Sequence, residues 1–281
     1  VNGSAIVMLE KGYHSFEAFF KEVGVGETDF TVSNETQMNF TCQLTTANIN
    51  VIDAQNVGIP FVFINLTYNY TTSLGDKENR TEAETGETDI TGTLLLPSLL
   101  PNITYLINAS RYGEVFNQNN NTIYDLPAKE YESITILCPA KKLQVQVIDA
   151  TNQPLVGATV KAQEFMGGLN YSGVTDSSGS AILECTFGKY TVKVYKDEIL
   201  LNETAFDLFD DQNGTIKCQL YGLTVSIKVV DFFGQPISNA NVTLQREGLA
   251  LRSCRTRSNG MATFSSFTGG TIQMTVYLLD K

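Results

Sequence analysis

The sequence predicts an all-β protein built of tandem antiparallel β-sandwich domains. Three observations predict it. Apolar and polar residues alternate in short runs. No stretch of a dozen residues keeps a helical period. One set of markers recurs three times along the chain, which is the signature of a repeat architecture.

The first marker is a strand that ends in an acid: Ile49 to Asp53, Val145 to Asp149 and Ile227 to Asp231. A turn containing Pro60, Pro154 or Pro236 follows each, and then a second apolar strand. The second marker is a cysteine on the strand before that one. Cys42 precedes Asp53 by 11 residues, Cys138 precedes Asp149 by 11, and Cys218 precedes Asp231 by 13. The third is a glycine pair nine residues apart, Gly3 with Gly12, Gly179 with Gly188 and Gly260 with Gly269, while Gly92 alone marks the middle copy. Glycine there suits the positive φ of a tight turn.

These markers divide the chain in four. Residues 1–46 are expected to be the closing strands of a partial sandwich. Residues 47–142 form a sandwich with a polar loop inserted at 73–91 and an Asn-rich loop at 117–122. Residues 143–221 form a second sandwich, and residues 222–281 the opening strands of another partial one. The chain thus starts and stops inside a repeat. Either it is a segment of something longer, the preferred expectation, or neighbouring subunits complete the open sheet edges. An opening Val1 without any leader segment also suggests a processed or excised chain.

The individual strands follow from the period of two. Leu143, Val145 and Val147 alternate with Gln144 and Gln146. Leu223, Val225, Ile227 and Val229 alternate with Thr224, Ser226 and Lys228. Ile272, Met274 and Val276 alternate with Gln273 and Thr275. One wet face and one dry face is the pattern of an antiparallel sheet packed on one side.

Thirteen Asn-X-Ser/Thr triplets begin at Asn2, Asn34, Asn39, Asn65, Asn69, Asn79, Asn102, Asn108, Asn120, Asn170, Asn202, Asn213 and Asn241. Chance would place roughly four in such a composition. Between residues 61 and 70, Asn65, Thr67 and Asn69 fall on the face opposite Val62, Ile64, Leu66 and Tyr68, where a bulky N-glycan would need them. The Asn241 triplet is placed likewise, opposite Ala240, Val242 and Leu244. N-linked glycans are the only non-protein group expected, and no cofactor is.

Formal net charge is −11, from 19 Lys+Arg against 30 Asp+Glu among 281 residues. Such a balance argues against nucleic acid and against anionic lipid. No run of about 18 apolar residues encodes a membrane span.

The run from Val147 through Pro154 and Gly157 to Val160, with Thr175 to Ala181 and Gly188 to Val194, resembles the carboxypeptidase regulatory-like, or transthyretin-like, β-sandwich. So does the run Val229 to Val242, and residues 1–142 resemble it more loosely. The resemblance implies Ig-like or prealbumin-like modules that serve as spacers, stalks or adhesive units, and it implies no activity. Some related bacterial sandwiches carry a Lys–Asn cross-link. Lys228 lies near the lysine position, but the closing strand offers a cysteine and no asparagine.

Catalytic chemistry is not expected. His14 is the one histidine, so any Ser-His-Asp or Cys-His arrangement would have to use it. Phosphate-binding glycine loops are missing. Asp207, Asp210 and Asp211 form a weak calcium candidate, with a solvated turn as the plainer reading. Glu78, Glu82, Glu84, Glu87 and Asp89 read as a mobile acidic loop.

Cys185 and Cys218 fall in one complete unit and are expected to form a disulfide worth roughly 3–4 kcal/mol. Cys42 and Cys254 are candidates for a bridge between subunits, and Cys138 for burial as a small apolar side chain. Together these readings anticipate an extracellular, N-glycosylated structural protein of archaeal type. It would be a filament or surface-layer subunit that partners itself, and the alternative is the stalk of a larger adhesin or secreted enzyme.

Overall fold

The computed structural model of the protein describes residues 6–33, 37–117, 122–166 and 168–278. Asn2, Asn34 and Asn120 lie outside the described residues, as do residues 3–5 of the first glycine marker. Among the described residues there is no helix, and alternation of apolar and polar side chains decides each strand. The chain divides into two compact units, Val1–Pro139 and Ala140–Lys281.

In the first unit, β1 (Gly12–Phe20) and β2 (Val23–Val32) form a hairpin with Lys21 and Glu22 at positive φ at its tip. Eight strands follow: β3 (Thr45–Ile52), β4 (Phe63–Thr71), β5 (Asn79–Glu87), β6 (Thr93–Leu99), β7 (Ile103–Arg111), β8 (Glu114–Val115), β9 (Thr122–Leu126) and β10 (Tyr131–Leu137). One sheet has the order β10-β3-β6, and the other runs β5-β4-β7-β8 with β9 also on β7. Ala47, Ile49 and Val51 of the first sheet are buried, as are Ile64, Leu66, Tyr68, Tyr105 and Ile107 of the second.

The acidic segment at 73–91 departs from expectation, because its centre is a strand. β5 pairs with β4 over nine residues, from Phe63↔Glu87 to Thr71↔Asn79. The period of two was present in Arg80, Glu82, Glu84 and Gly86. It was carried by charged residues rather than apolar ones, as suits a sheet edge.

The second unit opens with β11 (Ala140–Asp149), β12 (Thr159–Glu164), β13 (Asn170–Val174), β14 (Ser180–Thr186), β15 (Gly188–Lys196), β16 (Ile199–Leu208) and β17 (Gln212–Cys218). These form the sheets β14-β11-β17 and β13-β12-β15-β16. Leu143, Val145, Val147, Val160, Val192, Leu208 and Ile216 lie in one buried core. Then come β18 (Leu223–Lys228), β19 (Asn241–Arg246), β20 (Arg252–Arg255), β21 (Met261–Phe267) and β22 (Ile272–Tyr277), in sheets β18-β21 and β20-β19-β22. Val242, Leu244, Ala262, Phe264 and Phe267 fill a smaller core.

The sequence markers have physical counterparts. Each strand-ending acid folds its own turn. Asp149 Oδ1 accepts from the Thr151 and Gln153 amides at 2.8 and 2.9 Å. Asp53 does so from Gln55 and Val57, and Asp231 from Phe233 and Gln235. An isolated bridge closes each turn, at Ile52↔Gly58, Ile148↔Pro154 and Val230↔Pro236.

A buried threonine, not singled out from the sequence, ties the next crossing in the same way three times. Thr88, Thr175 and Thr256 donate to the carbonyls of Ile59, Leu155 and Ile237. They accept from the amides of Val62, Ala158 and Ala240. Both capacities of each buried hydroxyl are thereby used.

The leading glycine meets its demand for space in the three described copies. Gly92, Gly179 and Gly260 have φ of 79°, 78° and 74°, and an added Cβ would lie 2.5–2.7 Å from backbone atoms. The second glycine is not uniform: Gly12 has φ of 149°, whereas Gly188 and Gly269 are not at positive φ. At Gly269 a Cβ would fall 2.8 Å from Leu223 Cδ1, so bare backbone admits that side chain.

Two glycines at positive φ separate the causes. Gly234 has φ of 83° with nothing within 4 Å, so Gly234→Ala should lower stability by about 1 kcal/mol. Gly179→Ala adds a backbone clash and should lower it by about 2 kcal/mol or more. Denaturant midpoints of the two variants decide this, and equal losses would contradict the packing account.

Candidate functional site

The described residues hold no arrangement that resembles a reaction centre. His14 Nε2 lies 2.8 Å from the Glu10 carbonyl oxygen on the first hairpin. No group of three or more His, Cys, Asp or Glu among the described residues could hold a metal ion. The calcium candidate is spent on lysines and backbone. Asp207 pairs with Lys189 at 3.3 Å, Asp210 with Lys141 at 3.4 Å, and Asp211 accepts the Lys142 amide at 2.8 Å. Lys228 is exposed on β18. No helix among the described residues is long and apolar enough to cross a membrane.

Two surfaces remain. The first is the outer face of the sheet around β4. Register places Asn65 directly opposite Thr85 on β5 and Asn108 on β7, and Asn69 opposite Thr81. Val62, Ile64, Leu66, Tyr68 and Tyr70 are buried on the other face, so these asparagines point outward. Two triplets interlock across β4 and β5. Thr81 Oγ1 donates to Asn69 Oδ1, and Thr71 Oγ1 donates to Asn79 Oδ1 at 2.8 Å. Both bonds are taken on the amide oxygen rather than on the nitrogen that a glycan would use.

Asn39, Asn69, Asn79, Asn102, Asn170 and Asn213 are exposed, while Asn65, Asn108, Asn202 and Asn241 are half-buried. Asn202 is the least available, because its Nδ2 donates to the Lys217 carbonyl at 2.7 Å.

The second surface is the free edge of β18. β11 is flanked by β14 and β17, whereas β18 pairs only with β21 among the described residues. Leu143, Val145 and Val147 are fully buried on β11, but Val225, Ile227 and Val229, in the corresponding places, are half-buried. Beyond that strand, Val230, Phe232 and Phe233 are exposed, the two rings in edge contact.

A charged clasp fixes the first hairpin to β4 and β5, and the sequence reading missed it. Lys21 Nζ, at the hairpin tip, donates to Glu82, Glu84 and the Tyr68 hydroxyl. Arg80 pairs with Glu22 at 2.7 Å. Burial opposes the Lys21 charge, but Glu82, Glu84 and Tyr68 outweigh it and hold its pKa well above the ordinary value. Lys21 and Tyr70, both bonded to Glu82, hold that carboxyl below its usual range. The available signal was the alternation of Arg80, Glu82 and Glu84 on one face of a period-two run.

The cysteines need correction. No disulfide joins Cys185 to Cys218. Cys185 on β14 stands opposite Lys141 of β11, and Cys218 on β17 stands opposite Asp149 of β11. The two strands flank β11 instead of adjoining each other. Eight residues of β11 separate the two levels, about 26 Å at ~3.3 Å each, while a disulfide needs Cα atoms within about 7 Å. Cys138 is buried, Cys42 exposed and Cys254 half-buried on β20.

No family model matches the chain, and no curated protein matches it. Among solved structures it is similar to the Bacillus anthracis TIE protein, at 15% identity and a TM-score of 0.31, covering 96% of this chain and 53% of that one. It thus spans about half the length of that protein. It is also similar to a streptococcal ancillary pilin, at 13% identity and a TM-score of 0.34, covering 84% and 90%. A third is the major pilin subunit of Bacillus cereus, at 10% identity and a TM-score of 0.24, covering 83% and 87%. Likeness at such TM-scores carries no argument about this chain.

The clasp gives a pH-dependent stability. A folded-state pKa below the ordinary 4.5 means that Glu82 contributes fully above that value and loses its contribution as pH falls through the folded one. Lys21→Met should therefore lower stability by about 1 kcal/mol at neutral pH. The gap should close in acid, and thermal melts showing a pH-independent gap would contradict this.

Thiol labelling tests the cysteine correction. Burial pushes Cys185 up to about 12, and burial with the Asp149 charge pushes Cys218 up to about 11. Cys42 should label at once in native protein and these two only on unfolding. A peptide map joining Cys185 to Cys218 would overturn the geometry.

Proposed function

We propose that this chain is an extracellular, N-glycosylated structural protein, a subunit of a surface filament or surface layer. It would be assembled from β-sandwich modules through pairing of strand edges. The modules are residues 47–142 and 143–221, flanked by the partial ones at 1–46 and 222–281. The archaeal setting and the carboxypeptidase regulatory-like kinship belong to this reading on sequence grounds alone.

The observation that carries the proposal is the sheet face around β4. Asn65, Asn69, Asn79 and Asn108 all lie on its outward side, at positions fixed by strand register. An Asn/Thr-rich outer face under sugar suits a module whose role is to fill space and resist its surroundings. The described residues offer no competing catalytic constellation.

Glycopeptide mapping and electron microscopy of the native protein test the reading together. Asn39, Asn69, Asn79, Asn102, Asn170 and Asn213 should carry glycan, and Asn202 least of all. The particles should form regular filaments or sheets. Bare asparagines at these positions would contradict the surface reading, and isolated rods would favour a stalk of a larger protein.

A further inference from the structure

We propose that the Asn69 and Asn79 triplets receive sugar only before β4 and β5 pair, so that glycan transfer precedes closure of this sheet. The inference rests on the glycosylated-surface reading above and sets the order of its two steps.

The acceptor rule demands an asparagine and, two residues on, a hydroxyl, so a transferase must engage both side chains of one triplet together. In the folded chain they are parted. Register sets Asn69 opposite Thr81 and Thr71 opposite Asn79. Thr81 Oγ1 donates to Asn69 Oδ1, and Thr71 Oγ1 donates to Asn79 Oδ1 at 2.8 Å. Each triplet thus gives its hydroxyl to the amide of the other. An enzyme that meets the closed pair finds both asparagines exposed, but neither with its own hydroxyl to offer.

The backbone is closed as well. β4 and β5 pair over nine residues. Their connection is fastened by the Thr72 amide on the Glu78 carbonyl and by the Glu78 amide on Thr72 Oγ1, both at 2.9 Å. The tip of the first hairpin holds it from outside. The Ser73 and Leu74 amides donate to the Glu22 carbonyl, and Lys21 bonds Glu82 and Glu84 of β5. Drawing either triplet into an active site therefore means peeling β5 from β4 against all of these bonds.

The transfer step needs a donor of one class, a sugar carried on a diphosphate. Asparagine Nδ2 bonds to the anomeric carbon of that sugar. The bond from this carbon to the diphosphate oxygen breaks, and the diphosphate leaves with the electron pair. One amide proton passes to a base of the transferase. The product keeps Oδ1 and one N–H. Both interlocking bonds are accepted on Oδ1, so a chain that already carries sugar still closes β5 on β4, with its glycans on the outward face. Sugar first and sheet second is an open route, and the reverse is blocked.

The test uses the full-length chain made without glycan, with an Asn-Ala-Thr tail added after Lys281 as an unpaired acceptor. A purified oligosaccharyltransferase and a lipid-diphosphate-linked oligosaccharide are supplied. One portion of chain is folded beforehand, and another is diluted from denaturant straight into the same reaction. Glycopeptide mapping should show the tail modified alike in both, and Asn69 and Asn79 at least about tenfold less in the prefolded portion. In prefolded chain, Lys21→Met frees β5 of its clasp and should raise sugar transfer to Asn79 about fivefold. The order is overturned if Asn69 and Asn79 take sugar equally in both portions, if neither takes it in either, or if Lys21→Met changes nothing at Asn79. A tail that also loses its sugar in the prefolded portion overturns it too, because strand pairing is then not the cause. Native protein bare at every asparagine would sink the surface reading alone, since the transfer experiment supplies its own enzyme and donor.

Discussion

A strand edge cannot be left dry and unpaired, and the way this chain pairs its opening strands organises everything else. β3 and β11 each take an antiparallel neighbour on one side and a parallel one on the other. The parallel neighbour is the last strand of the same sandwich, so the chain must travel through the opposite sheet before the first strand is satisfied. Closure is thus a long-range event. It seals the core and pairs the backbone in one step. Where it has happened, the apolar side chains of the opening strand are fully buried; on β18 they are not.

Local devices prepare for that closure. An aspartate collects the amides two and four residues on and turns the chain. A buried threonine links the turn to the next strand, and a glycine at positive φ lets two backbones cross. Tyr105 and Tyr190 add one more constraint, each donating its hydroxyl to a carbonyl just upstream, Leu100 or Thr186. The aspartate and tyrosine bonds span only two to five residues and can form early, whereas the threonine bonds span 16 to 29 and form as the strands meet.

Much of this was legible in the residues. Leu143 to Val147 and Phe61 to Tyr70 alternate apolar with polar, and both are strands with the expected buried face. The acid, the proline turn and the first glycine mark real turns for stereochemical reasons. What stayed hidden had no apolar period to show it. β5 alternates charge with small polar residues, so it looked like a loop, and with it went the Lys21 clasp. Thr88, Thr175 and Thr256 are common residues whose role appears only when their hydroxyls are found between two backbones. The cysteine pairing failed because spacing along the chain says nothing about which strand stands between two others. Cys185 and Cys218 share a sheet, but at opposite ends of β11.

The account depends on an opening strand being sealed by its parallel partner, as β3 and β11 are and as β18, among the described residues, is not. Amide hydrogen exchange reads this directly, strand by strand. The outward amides of β18 should exchange at least about tenfold faster than those of β11. Protection of β18 equal to that of β11 in an isolated chain would contradict it.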